Sequence, residues 1–106
     1  MTAVRVASVA DVPEGASLRV DAGGEAVCLV NLGDGGFRAL GDVCSHAEAY
    51  LSEGEVDVEE GTVECPLHGS VFDVSTGAAK TLPATRPVPV YAVTVDGDDL
   101  MIEVDD

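Results

Sequence analysis

The chain has 106 residues with 20 acidic, 5 basic and 2 histidine side chains, so its formal net charge is −15. This length suits one domain with one core, and no apolar run approaches the length of a membrane span. The negative charge disfavours binding to nucleic acid and to anionic membrane surfaces. It favours a basic protein partner, although solubility alone is an alternative explanation of the same charge.

The N-terminal residues, MTAVRVASVADVPEG, lack the uninterrupted apolar segment and the cleavage site of a signal peptide. The three cysteines are too few for a disulfide scaffold, and their odd number leaves one unpaired. We therefore expect a soluble cytoplasmic protein that uses cysteine for metal or redox chemistry rather than for cross-linking.

Short segments of alternating hydrophobicity along the whole chain predict β-strands joined by tight turns. The predicted strands cover 3–9, 17–21, 25–32, 37–40, 61–64, 71–74, 89–95 and 100–104. Turn signals lie at GDGG (33–36), STG (75–77) and DGDD (96–99). A helical turn near residues 8–12, with Ser8 as its cap, is the one helical signal. The pattern predicts an all-β fold, a small antiparallel sandwich or barrel.

Both histidines and two of the three cysteines fall in two short stretches, CSH at 44–46 and CPLH at 65–68. A structural zinc site usually pairs like ligands, as Cys-x₂₋₄-Cys followed by His-x₃₋₅-His. The mixed order of these stretches instead favours a [2Fe–2S] cluster, in which thiolates bind one iron and imidazoles the other. The alternatives are a zinc site or loop residues that bind no metal together.

The motif C-x-H followed by C-x-x-H-G resembles the Rieske [2Fe–2S] motif. From about Val4 to Val104 the chain is similar to the small Rieske-type ferredoxins of aromatic-ring dioxygenases, such as the phenylpropionate/cinnamate system. The similarity is strongest over residues 44–91, including HGSVFDVSTG and LPATRPVPVY. It implies one Rieske domain over residues 1–106, with a cluster-binding subdomain at one tip formed by loops at about 42–50 and 64–73. It implies the four cluster ligands Cys44 and Cys65 on the inner iron, and His46 and His68 on the outer iron.

The neighbours of the second ligand pair suit such a site. Pro66 and Gly69 are expected to fix a tight turn, so that backbone N–H groups can point at cluster sulfurs. The hydroxyl of Ser70 is a candidate donor to a bridging sulfide, or it belongs to an ordinary turn serine. The resemblance implies that LPAT (82–85) is the proline-bearing loop over the cluster, with simple loop rigidity as the alternative.

The chain also departs from the pattern of respiratory-chain Rieske proteins. Those proteins carry a disulfide between the two loops at the places of Ala49 and Leu67, and a tyrosine at the place of Phe72. The remaining cysteine, Cys28, is predicted to be a buried residue of an apolar strand. Because hydrogen bonds to sulfur raise the potential of a cluster, the missing hydroxyl predicts a midpoint low in the Rieske range of roughly −150 to +300 mV.

No catalytic residue is expected. A Rieske oxygenase needs a mononuclear iron held by two further histidines and a carboxylate, and the cluster already uses both histidines of this chain. The sequence also has no GxGxxG dinucleotide motif. The resemblance implies a one-electron carrier between an NAD(P)H-dependent flavoprotein reductase and a terminal oxygenase. We expect a monomer, since nothing in the sequence requires a larger assembly. The alternatives are an accessory subunit, as in nitrite reductase, or a redox role in iron–sulfur assembly.

The acidic run EGEVDVEE (53–60) lies between the two ligand stretches in sequence. It is a candidate guide for a basic partner, and a solvated surface loop is the alternative.

Overall fold

The computed structural model of the chain describes residues 2–43, 49–67, 69–81 and 86–104. Short 3-10 segments lie at Val9–Asp11, Gly33–Gly35 and Leu51–Glu53. The strands are β1 (Thr2–Ser8), β2 (Ser17–Ala22), β3 (Glu25–Asn31), β4 (Phe37–Gly41), β5 (Val56–Asp57), β6 (Thr62–Glu64), β7 (Val71–Asp73), β8 (Val90–Tyr91), β9 (Val93–Asp96) and β10 (Asp99–Val104). Within these described ranges, no helix has the length and hydrophobicity needed to cross a membrane.

The strands form three antiparallel sheets with the orders β1-β10-β9, β2-β3-β4-β8 and β5-β6-β7. The predicted all-β antiparallel fold is therefore confirmed. The four-stranded sheet separates two groups of buried side chains, so the single core expected from the chain length is divided in two. Alternation along β3 explains the division, since successive residues of a strand point to opposite faces of its sheet.

We name the two groups by their positions relative to the predicted ligand loops. The base core includes Val27 and Leu29 of β3 together with residues of β1 and β10. The loop core includes Cys28 and Val30 of β3 and lies against the β5-β6-β7 sheet. The fully described buried members of the loop core are Cys28, Val30, Leu32, Leu40, Ala49, Leu51, Val63, Cys65, Phe72, Val74 and Val88.

Three local predictions differ from the structure. The strand predicted at 89–95 is interrupted at Ala92, because β8 pairs with β4 while β9 pairs with β10 in another sheet. The predicted GDGG turn contains a 3-10 segment and is closed by the N–H of Leu32, which donates to Gly36 O at 2.9 Å. Strand β5 was not predicted, although the alternation of valine and acidic residues at 55–59 is a period-2 signal.

The helical turn predicted near residues 8–12 is present as the 3-10 segment at Val9–Asp11, with Ser8 as its N-cap residue. The backbone N–H of Ser8 donates to a carboxylate oxygen of Asp11 at 3.0 Å. The acidic side chain three residues after the cap therefore closes this turn.

Gly54 marks a close approach between the segment after the first ligand loop and strand β6. Its φ of −90° is available to any residue, but a Cβ atom there would collide with the backbone carbonyl of Glu64. Because Glu64 directly precedes Cys65, this approach also sets the position of the second ligand loop.

We expect Gly54→Ala to reduce the free energy of unfolding by about 3 kcal/mol, since a backbone carbonyl must move to accept the methyl group. Gly24→Ala is the control, because Gly24 has open space around its Cβ position but a φ of +87°. Its cost should be about 1 kcal/mol, from left-handed backbone alone. Denaturant unfolding of both variants measures the difference, and equal losses would contradict the contact at Gly54.

Candidate metal centre

The second ligand stretch is the connection between β6 and β7. Glu64 pairs with Val71 at the end of the ladder. Beyond this pair, the N–H of Cys65 donates to Ser70 O at 2.7 Å, and the N–H of Gly69 donates to Cys65 O at 3.0 Å. Gly69 has a φ of +75°, which favours glycine. The predicted tight turn is thus confirmed, whereas a role of these N–H groups toward a cluster sulfur stays a prediction.

The thiol of Cys65 is an available soft donor within this turn. Cys65 is 1% exposed, belongs to the loop core and forms no disulfide. Its partner in the predicted ligand pair, His68, lies outside the described residues. Pro66 and Leu67 between them are exposed to solvent.

The first ligand stretch is described only at its two ends. The predicted ligands Cys44 and His46 lie outside the described residues. On either side, Val43 and Tyr50 form an antiparallel β-bridge. The described residues on either side of 44–48 are therefore held together, within the predicted loop limits of about 42–50.

Residues that follow the first ligand stretch lie beside residues of the second. A cavity of about 320 Å³ is lined by Ala49, Tyr50 and Glu53 after the first loop and by Pro66 and Leu67 of the second. Ala49 and Leu67 are the places that carry the disulfide in the respiratory-chain pattern, and neither can form one here. Described residues next to both ligand stretches therefore line one cavity.

The donor set fits an iron–sulfur cluster. Cys65 supplies a buried thiol without a disulfide partner, and thiolate is the ligand such clusters require. Among the residues that the structure describes, no group of three or more His, Cys, Asp or Glu side chains forms a candidate metal site. Of the four predicted ligands, only Cys65 is among these residues.

The comparisons with known proteins decide the family. The family profile of the Rieske [2Fe-2S] domain matches residues 2–92. The chain belongs to this family.

The relatives of this Rieske domain cover nearly its whole length. It is 45% identical over 104 residues to the 3-phenylpropionate/cinnamic acid dioxygenase ferredoxin subunit of Escherichia coli (strain K12). The aligned region covers 98% of this chain and 95% of the relative. It matches the ferredoxin of carbazole 1,9a-dioxygenase from Nocardioides aromaticivorans IC177 with a TM-score of 0.91 and 42% identity, over 96% of this chain and 97% of that one. The resemblance and the Rieske [2Fe–2S] cofactor are thereby confirmed.

A third similar structure is a complex of reduced oxygenase and oxidized ferredoxin in carbazole 1,9a-dioxygenase. Its matching chain has a TM-score of 0.85 and 34% identity, over 94% of this chain and 91% of that one. The assignment of individual ligands in the present Rieske domain stays a prediction, because three of the four lie outside the described residues. The same holds for the proline-bearing loop at 82–85.

Ser70 and Phe72 follow the second ligand loop of this Rieske domain and are both fully buried. The carbonyl of Ser70 accepts the N–H of Cys65, whereas a bond from its hydroxyl to a sulfide stays a prediction. Phe72 lies opposite Val63 in the ladder and belongs to the same loop core as Cys65. Phe72, which stands where the respiratory-chain proteins have a tyrosine, is thus buried in the loop core together with Cys65.

Cys28 is a buried core residue of the Rieske domain, as predicted. It is 0% exposed in the middle of β3. Burial, and secondly the negative charge of Asp42, raise the pKa of its thiol to about 12. It therefore stays protonated at neutral pH, which disfavours metal binding because the thiolate is the ligand form.

Sequence reasoning missed Asp42, which precedes Cys44 by two residues. Its side chain is 0% exposed and is one of few buried polar side chains described. Both of its carboxylate oxygens contact Ser52, on the far side of the first loop. An acidic residue directly after the apolar strand at 37–41 was the available signal, since such a position is usually exposed or paired.

We expect Phe72→Tyr to raise the midpoint potential by roughly tens of millivolts, because a hydroxyl in the loop core can donate to a sulfur of the more negative, reduced cluster. The matched control is Phe37→Tyr, since Phe37 packs against the base core. Redox titration of the two variants and the wild type measures the shift. An unchanged midpoint in Phe72→Tyr would show that this side chain does not determine the potential.

Proposed function

We propose that this chain is a one-electron carrier, with a single domain over residues 1–106 that holds one Rieske cluster on Cys44, His46, Cys65 and His68. The observation that carries the proposal is the buried, unbridged thiol of Cys65, next to Pro66 and Leu67, which share a cavity with Ala49 and Tyr50 from the end of the first ligand stretch. When bound, the cluster accepts and releases one electron. Thiolates suit one iron and imidazoles the other, which accounts for one cysteine and one histidine in each loop.

The donor count argues for a carrier rather than a complete oxygenase. The sequence contains two histidines, and the cluster would use both. A mononuclear iron site of the two-histidine, one-carboxylate kind would need two more. The names of the similar proteins, a ferredoxin subunit and a dioxygenase ferredoxin, agree with a carrier function.

We propose a terminal oxygenase as the electron acceptor and an NAD(P)H-dependent flavoprotein reductase as the donor. A similar ferredoxin is in complex with its oxygenase, which supports the acceptor. The residues next to the ligands also suit transient docking, because Val43 is 51% exposed and Leu67 is 55% exposed. Small apolar contacts surrounded by charge are typical of short-lived electron-transfer complexes.

Several narrower expectations remain predictions from the sequence. These are a monomeric state, a cytoplasmic location and the absence of nucleic-acid or membrane partners. The alternative functions are an accessory subunit of the nitrite-reductase type and a role in iron–sulfur assembly. Stable co-purification with a large flavoprotein would favour the accessory subunit, and electron transfer to an added dioxygenase would favour the carrier.

The acidic run supports a basic partner. Glu55, Asp57 and Glu59 are exposed and line a groove of about 400 Å³, together with Glu64 of β6. The groove lies on the β5-β6-β7 sheet, whose β6–β7 connection carries Cys65. We propose that this charge attracts a basic partner toward the end of the molecule where the two loops meet.

The ligand assignment predicts different outcomes for two similar cysteines. Cys28 and Cys65 are both buried in the loop core and both unbridged. We expect Cys65→Ser to abolish iron, acid-labile sulfide and visible absorption, since a ligand is lost. Cys28→Ser should keep all three at the wild-type stoichiometry. A coloured Cys65→Ser protein with full iron content would refute the assignment.

The charge proposal predicts a loss of salt-dependent association. We expect the combined Glu55→Gln, Asp57→Asn and Glu59→Gln variant to react roughly tenfold more slowly with its electron-transfer partner at low salt, and similarly to the wild type at high salt. The control with the same charge change is Asp96→Asn, Asp98→Asn and Glu103→Gln, at exposed positions on the β9–β10 side. Stopped-flow kinetics at several ionic strengths measure both, and equal slowing would assign the effect to net charge alone.

A further inference from the structure

A single buried aspartate joins the described residues on the two sides of the first ligand stretch. Asp42 follows β4, and its N–H donates to Ala26 O at 3.0 Å, while its own carbonyl accepts the N–H of Leu51 at 2.7 Å. Its Oδ1 accepts the N–H of Ser52 at 2.8 Å, and its Oδ2 accepts the Ser52 hydroxyl at 3.0 Å. The backbone and the side chain of Asp42 thus both join the start of the loop to its end.

The far end of this connection is itself fixed. The hydroxyl of Ser17 on β2 donates to Ser52 O at 2.9 Å. Next to it, Val43 and Tyr50 form the β-bridge that closes the loop. Ser52 is therefore a rigid anchor rather than a flexible surface residue.

The guanidinium group of Arg19 contacts both Asp42 and Tyr50. Arg19 Nε is 3.5 Å from Asp42 Oδ2, and the guanidinium carbon is 4.2 Å from the ring centroid of Tyr50. The Arg19 side chain is half exposed, so solvent weakens its ion pair with Asp42. Its planar group still covers both the carboxylate and the aromatic residue that ends the loop.

Burying a carboxylate costs free energy, so stability of the fold alone does not explain Asp42 well. Its transfer from water costs several kcal/mol, and apolar replacements of buried charges are often neutral or stabilising. Asp42 is buried at this cost two residues before Cys44. The domain also has Ala49 and Leu67 at the two places where the respiratory-chain proteins carry a disulfide between the ligand loops. The negative charge of Asp42 also acts on a residue of the loop core, since it contributes to the raised pKa of the Cys28 thiol.

We infer that Asp42 is a positioning residue that, with Ser52 and Arg19, holds together the two described ends of the stretch containing Cys44 and His46, independently of the cluster. This inference rests on the proposed ligand set. A closed loop presents its two donors with less conformational freedom to lose, which slows the release of iron from the assembled site. The buried negative charge near the ligands also disfavours addition of an electron to the cluster.

The test compares three variants of the cluster-loaded protein. Asp42→Asn keeps the shape but removes the charge, and Ser52→Ala removes one hydrogen bond but keeps the charge. Asp99→Asn is the matched control, because Asp99 is also paired with an arginine, Arg5 at 2.8 Å, but on the β1-β10-β9 sheet. The measurements are the rate of iron transfer to a chelator, followed by loss of visible absorption, and the midpoint potential.

We expect Asp42→Asn to release iron roughly tenfold faster than the wild type and to have a higher midpoint potential. Ser52→Ala should release iron faster with an unchanged potential, and Asp99→Asn should match the wild type in both measurements. A purely structural role would lower the thermal unfolding midpoint without changing the potential.

Wild-type release rates in both Asp42→Asn and Ser52→Ala would overturn the inference, as would equal effects of Asp42→Asn and Asp99→Asn. If Asp42→Asn does not fold, Ser52→Ala decides, since faster release supports the inference and a wild-type rate overturns it. Failure of the proposed function is a separate result, because the wild-type protein itself would then contain no iron and no acid-labile sulfide.

Discussion

The burial of β3 and β4 on both faces is the constraint on which the candidate site depends. Val27 and Leu29 point into the base core, while Cys28 and Val30 point into the loop core. A strand covered on both sides has little freedom to shift its register, because a shift of one residue would exchange the two faces. The residues that follow β4 therefore leave the sheet at a fixed point, and the first ligand loop begins there.

The loop core transmits this constraint to the second loop. Cys65 and Phe72 come from β6–β7 and pack in the same group as residues of β3 and β4. Close packing makes such a group poorly deformable, so the position of the hairpin is tied to that of the middle sheet. Neither loop is placed by its own sequence alone, and both are placed by one shared core.

The sequence predicts the cofactor of the site better than it predicts the contacts that position the ligand loops. Ligand identity is a local property, so the mixed order of Cys and His predicts a [2Fe–2S] cluster. The resemblance of C-x-H and C-x-x-H-G to the Rieske motif implies its type, and the family match confirms the cofactor. Strands with period-2 alternation were likewise predicted in nearly their observed positions. The contacts around Asp42 were not predictable in this way, because Ser17 and Ser52 are 35 residues apart and meet only when β2 lies beside the loop. The interruption at Ala92 also depends on which sheet each half of the segment joins.

The absence of an inter-loop disulfide changes how the two loops are coupled. The described ends of the first loop are joined by Asp42 and by the Val43–Tyr50 bridge, and the second loop is closed by the hydrogen bonds of Cys65. A disulfide would join one loop to the other and constrain the unfolded chain as well. Among the described residues, each of these contacts stays within one ligand stretch, so the proposed cluster would be a covalent link between the two stretches. Binding of the cluster would then stabilise the contact between the loops, in the manner of metal sites whose binding free energy contributes to folding.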